Sequence, residues 1–222
     1  MIAKCALLNI GRKRSMKHLF LEGPIRSGKS TLIKSCLKEF SGTLGGFSCK
    51  RYRDETGDIR AFGLTGPDDF DVDGLYDPAV CGDPENGVPA ADPGIFLVRT
   101  GSGAKIDNDA FIRMGISYLD DSADADLILL DEIGGVELMS DEFREKLYEV
   151  LSGDTPCIGV LKQMSHARTM EQRAGKDSRI TEINEALRND ITGKFGGTIL
   201  PFERARADVL RKEIMQFLDD IL

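Results

Sequence analysis

Residues 19–33 read Leu19-Phe20-Leu21-Glu22-Gly23-Pro24-Ile25-Arg26-Ser27-Gly28-Lys29-Ser30-Thr31-Leu32-Ile33. The three leading apolar residues form a short run that ends at Gly23-Pro24, the pattern of a buried strand entering a turn. From Ser30 onward Leu32, Ile33, Cys36, Leu37 and Phe40 recur at helical spacing, and Gly42 stops the helix. Between strand and helix, Gly23 to Ser30 matches G-x-x-x-x-G-K-[ST]. Glycines in such a loop let successive backbone N–H groups turn inward around an oxyanion, and the helix that follows adds its positive end. Lys29 supplies a mobile cation to a β- or γ-phosphate, Ser30 offers a hydroxyl to Mg²⁺, and Thr31 continues the cradle. Arg26 stands where such loops often carry glycine; it either reaches a phosphate or simply faces solvent near an anion.

A phosphate loop of this kind needs a second element that presents a carboxylate to the metal. Leu127-Ile128-Leu129-Leu130-Asp131-Glu132 supplies one: four apolar residues of a central parallel strand, then a carboxylate pair where that strand emerges. Asp131 is the candidate Mg²⁺ ligand alongside Ser30, and Glu132 the candidate general base for an attacking water. Gly134-Gly135 allows the chain to turn closely over the phosphates.

Further along the chain, strands are expected at 44–53 and 59–64, joined by a turn at 54–57, and at 95–98, 157–161 and 198–200. Helices are expected at 108–119, 140–151 and 207–222. Strands alternating with helices indicate an α/β protein with a mostly parallel sheet covered on both faces. Residues 66–94 hold five of the eight prolines and many aspartates, and read as a long loop insertion. Residues 163–195 are polar and helical in propensity; they read as an exposed helix, with a mobile lid as the alternative. The organisation expected is a loose extension over 1–15, with Met16 as an alternative start, and one domain over 16–222 that includes both variable segments.

At 222 residues the chain can bury a core without a metal or disulfide staple. No apolar run approaches the ~20 residues of a bilayer span. The formal charge of −8 is segregated: 1–53 carries +10, 54–160 carries −19 and 161–222 carries +1. The overall balance argues against non-specific nucleic-acid binding. The basic run Arg12-Lys13-Arg14 lacks interleaved aromatics for base stacking. The five cysteines are odd in number and unpatterned, which fits reduced thiols in a cytoplasmic protein. Two histidines, His18 and His166, exclude a multi-histidine metal site, and His18 beside a core strand reads as structural. Asp69-Phe70-Asp71-Val72-Asp73-Gly74 opens like a calcium loop, but its twelfth position is Val80 and Pro78 interrupts it, so a solvated acidic loop is the better account.

Three blocks together resemble a known family: the loop at 23–30; Leu44-Gly45-Gly46-Phe47 with Arg53, Gly57 and Arg60; and Asp131-Glu132-Ile133-Gly134-Gly135-Val136-Glu137-Leu138-Met139-Ser140, close to D-E-I-G-x-x-E-L-x-S. They are similar to the small P-loop nucleoside-triphosphatases of thermophilic bacteria and archaea, a family with a cancer-related human member. The resemblance implies a three-layer P-loop domain of RecA-like (ASCE) strand order and slow Mg²⁺-dependent hydrolysis of ATP- or GTP-type nucleotides. Glu137 matches a family position whose task is open, and Lys162 corresponds to a basic residue after a strand. The segments 66–94 and 163–195 depart from the family pattern. Glu203, Arg204 and Arg206 only echo its closing element. Two rival readings stand beside hydrolysis: a small-molecule kinase on the same fold, and a non-catalytic nucleotide switch that recruits a protein partner.

Overall fold

The computed structural model of the protein describes residues 16–70, 73–174 and 178–222. The expected extension over 1–15, with Cys5 and Arg12-Lys13-Arg14, lies outside them, as do Asp71 and Val72 of the acidic loop and Lys176.

One nine-stranded sheet organises the described residues. It opens with β1 (His18–Glu22), followed by α1 (Lys29–Leu37), β2 (Leu44–Arg53) and β3 (Ile59–Thr65). The short pieces β4 (Gly74–Leu75) and α2 (Pro78–Cys81) come next, then β5 (Ile95–Thr100), β6 (Gly103–Ile106) and α3 (Asn108–Asp120). The chain continues through β7 (Leu127–Ile133), α4 (Asp141–Ser152), β8 (Cys157–Leu161), α5 (Met164–Ala174), α6 (Ile180–Gly193), β9 (Gly197–Pro201) and α7 (Ala207–Asp219). Across the sheet the order is β6-β5-β3-β2-β7-β8-β1-β9, with β4 added beside β2. From β2 to β9 every neighbour runs parallel, whereas β3, β5 and β6 continue the sheet antiparallel. β8 lies between the strand that leads into the phosphate-type loop and the strand that carries Asp131.

Alternation along these strands builds the layers. Phe20, Ile128, Leu130, Cys157 and Leu161 face one way, into a core shared with Phe111, Phe143, Leu147 and Leu187 from α3, α4 and α6. Their neighbours Leu19, Leu21, Leu127, Leu129, Ile158 and Val160 face the other way, against Ile33, Leu210, Ile214 and Phe217 from α1 and α7. Successive strand residues point to opposite faces, so fully apolar strands are the sequence signature of a sheet covered on both sides. Side chains cap the starts of α3 and α4: Asp107 accepts from the Ala110 N–H at 2.9 Å, and Ser140 from the Phe143 N–H at 3.3 Å.

The structure corrects the expectation of a bare loop over 66–94. Its described part includes β4, paired with β2 at Tyr52 and Arg53, and α2, capped by Asp77, which accepts from the Ala79 N–H at 2.8 Å. Cys81 of α2 is fully buried with Tyr52, Ala61, Ile95 and Val98 in a third, smaller core. Breaker residues set the turns here, but one buried thiol and one aromatic anchor the segment. The strand β6 was not expected; all four of its residues are exposed on the sheet edge, so they lack the apolar alternation that marks a strand. β7 also runs past Leu130 to Ile133, so the carboxylate pair sits within the strand, where its register with β8 is irregular.

Candidate active site

The loop after β1 turns on Gly28, whose φ of +110° would strain any other residue and which leads directly into α1. Lys29 Nζ donates to the Gly23 carbonyl at 2.8 Å and the Pro24 carbonyl at 2.7 Å. Burial lowers the Lys29 pKa, while Glu132, Asp131 and Glu22 pull it back up. Arg26 is exposed at the rim, at a left-handed φ of +60°.

Ser30 and Asp131 are 101 residues apart in sequence, yet the Ser30 hydroxyl donates to Asp131 Oδ1 at 2.8 Å. Asp131 is only 2% exposed. Its second oxygen accepts from the Cys49 N–H at 3.3 Å and the Ser48 hydroxyl at 3.4 Å, with Lys34 Nζ 4.0 Å away. Two hard oxygen donors thus converge at the start of α1. This donor set fits Mg²⁺, which takes few protein oxygens and completes its shell with water and phosphate.

Glu132, unlike its neighbour, is half-buried, with φ +64°, and lines the same cleft as Lys29. Its pKa is raised, first by burial and then by the Asp131 charge, with Lys162, Arg51 and Lys29 acting against the rise.

Behind the carboxylates, Glu137 finds the task that was open in the sequence. Its Oε1 accepts from the Gly134 and Gly135 N–H groups, both at 2.7 Å, and its Oε2 pairs with Lys162 Nζ at 3.3 Å. Gly134 has φ +105°, and a Cβ there would lie 2.6 Å from Asn184 Nδ2. Asn184 of α6 donates to the Gly134 carbonyl. Arg188, one turn on, donates to Asn184 Oδ1 at 2.7 Å and to the Lys162 carbonyl at 2.6 Å, and it pairs with Glu22 at the end of β1. The segment 163–195 is therefore two helices, and the second is latched to the site. The side chain of Arg173 lies outside the described residues.

The loop and Glu132 form one side of an open cleft of about 440 Å³. Sequence reasoning missed part of its far wall: Arg51, Phe62 and Arg99 join Arg53 there, from β2, β3 and β5. The i, i+2 spacing of Arg51 and Arg53 on a strand was a usable signal, because it puts both on one face with Tyr52 buried on the other. Arg99 offered none. Of the expected loop residues, Ile25, Arg26, Ser27, Gly28, Lys29, Ser30 and Thr31 line this cleft; Gly23 and Pro24 act from behind through their carbonyls. Asp69 and Asp73 of the acidic loop are in ion pairs with Lys50 at 3.2 Å and Arg53 at 2.8 Å.

An NTPase family model matches residues 98–195. The nucleoside-triphosphatase THEP1 of Methanosarcina barkeri is 33% identical over 83 residues, which is 37% of this chain and 47% of the relative. That of Methanosarcina acetivorans is 29% identical over 112 residues, or 48% and 63%. The chain thus spans about half the length of these curated relatives. Two solved structures share the fold: THEP1 from Aquifex aeolicus, with TM-score 0.56, 17% identity and coverage of 91% of this chain and 99% of that one; and a human cancer-related nucleoside triphosphatase, with TM-score 0.57, 20% identity and coverage of 92% and 98%. Over part of its length the chain is thus similar to small nucleoside-triphosphatases, and it shares the fold of two of them.

Proposed function

We propose that the protein is an Mg²⁺-dependent nucleoside-triphosphatase that converts an ATP- or GTP-type nucleotide to the diphosphate and phosphate. The observation that carries this reading is the 2.8 Å contact between Ser30 and Asp131, with Glu132 and Lys29 facing one cleft beside it. The N–H groups of the loop from Gly23 to Thr31 cradle the phosphates. Lys29 leaves the Gly23 and Pro24 carbonyls for a β/γ-phosphate oxygen, exchanging neutral acceptors for a charged one. Ser30 and Asp131 hold Mg²⁺, which when bound offsets charge on the phosphate oxygens. Glu132 orients water against the γ-phosphorus and takes its proton as the P–O bond to the diphosphate breaks. The raised pKa of Glu132 supports that role, since a base works best with a pKa closer to the working pH. The four described cysteines are free thiols, which supports a reducing, cytoplasmic setting.

Phosphate release from ATP, GTP, CTP and UTP with Mg²⁺, compared between the wild type and Glu132→Gln, tests the reading. The variant is expected to lose about 10²–10⁴-fold in rate while binding the nucleotide as before. A wild type that releases phosphate from none of the four, or a variant as active as the wild type, would overturn it.

A further inference from the structure

The cleft as a whole carries more positive charge than one metal-bound triphosphate accounts for. Arg26, Lys29, Arg51, Arg53 and Arg99 line it, against only Asp58 and Glu132. Arg53 is held by Asp73, but among the described residues no carboxylate lies within ion-pair distance of Arg51 or Arg99. Arg99 instead lies over the Phe62 ring, 6.0 Å from its centroid, which leaves its guanidinium N–H groups available at the ring edge.

Sheet order sets these arginines apart from the loop. β1, which carries the loop, is three strand positions from β2 and five from β5. At ~4.8 Å per strand the two roots lie ~14 and ~24 Å away within the sheet. A triphosphate seated on the loop amides and Lys29 takes its first contacts from the near wall, while Arg51 and Arg99 reach the same cleft from strands further along the sheet. Arginine's planar fork suits bidentate binding of a phosphate dianion.

We propose that Arg51 and Arg99, with Phe62 between the strands that bear them, form a second anion site that binds a small phosphomonoester while a nucleoside triphosphate occupies the loop. The site rests on the nucleotide reading only for the identity of the first ligand. Its occupant lies across the cleft from Lys29 and shares the space beside Glu132, so the two ligands bind to one protein together and do not compete.

The test uses the full chain saturated with Mg²⁺ and a non-hydrolysable ATP analogue, titrated by calorimetry with phenyl phosphate and, separately, with inorganic phosphate at constant ionic strength. One phosphate-bearing ligand per loaded chain is expected. Arg99→Gln and Arg51→Gln should each weaken it at least tenfold, and Arg99→Gln should leave affinity for the analogue within about twofold. Tighter binding of phenyl phosphate identifies a monoester site, and equal binding a site for the bare anion. Phosphate that binds only the unloaded protein and is displaced by the analogue overturns the proposal. So does an Arg99→Gln chain that loses analogue affinity as much as phosphate affinity, because the arginine would then serve the first triphosphate. If the analogue itself fails to bind, the nucleotide reading falls; the same titration on unloaded Lys29→Ala protein, with and without Arg99→Gln, then decides the arginine site alone.

Discussion

Glu132 stands between opposing pulls: burial and Asp131 raise its pKa, while Lys162, Arg51 and Lys29 hold it down. A base works only when ionised, so hydrolysis should fall on the acid side at a higher pH than a solvent-exposed glutamate would set. Removing a cation that holds the value down must move that limb further up. The kcat/KM profile of Arg51→Gln should therefore have its acid limb at higher pH than the wild type; an unmoved limb would assign it to another group. His18 gives a second pH effect, on stability. Its Nδ1 accepts from the Cys157 N–H at 3.0 Å and its Nε2 donates to the Leu151 carbonyl at 3.1 Å, which fixes a neutral ring between β1, β8 and α4. Burial, then Lys17, lowers its pKa from 6.5 to about 4. Below pH 6.5 the unfolded chain therefore takes up a proton that the folded chain refuses. Stability from this ring is complete at neutral pH and is lost as pH falls from 6.5 towards 4, by an amount on the order of 3 kcal/mol. The urea midpoint should fall further between pH 7 and pH 4.5 in the wild type than in His18→Gln.

At the level of elements, the two most specific blocks of sequence became the two segments that meet at Ser30 and Asp131, because short-range patterns record strand, turn and helix directly. The Leu44–Arg53 and Cys157–Leu161 strands fall at the bounds expected of them. What the sequence hid depends on partners far along the chain. Asn184 and Arg188 look like ordinary polar positions of an exposed helix, but the fold brings them to Gly134, Glu22 and the Lys162 carbonyl. Arg99 becomes part of the cleft only because β3, β5 and β6 extend the sheet antiparallel. The Glu137–Lys162 pair shows how such contacts act. Glu137 is buried and Lys162 half-buried, and desolvation of Lys162 is outweighed by Glu137 and then Glu132 together with their neighbours, so its pKa is raised. Lys162→Met leaves Glu137 with two N–H donors but no cation, which should cost about 3 kcal/mol in denaturant midpoint experiments. Adding Glu137→Gln should recover part of that loss, because the amide oxygen still accepts from Gly134 and Gly135 without a buried charge.

Across the whole molecule, a sheet covered on both faces leaves the chemistry to its edges, where strands end and loops turn. Phe20, Phe47 and Phe143, all fully buried, make that frame stiff. Backbone tension is distributed quite differently: among the described residues, the only non-glycine positions with positive φ are Arg26 and Glu132, and both line the one cleft. Left-handed geometry costs an ordinary side chain about 1–2 kcal/mol, whereas glycine adopts it freely. Alanine normally outranks glycine in a folded chain because its unfolded state has less freedom to lose. At Arg26 that ranking should invert: Arg26→Gly is expected to be more stable than Arg26→Ala by about 1 kcal/mol in thermal or denaturant unfolding, with the guanidinium absent from both. The same pair of substitutions would cost glycine the advantage anywhere along α1. A guanidinium at the cleft rim is thus carried on a backbone shape that glycine would relax, so one substitution there removes a source of strain and a cation together.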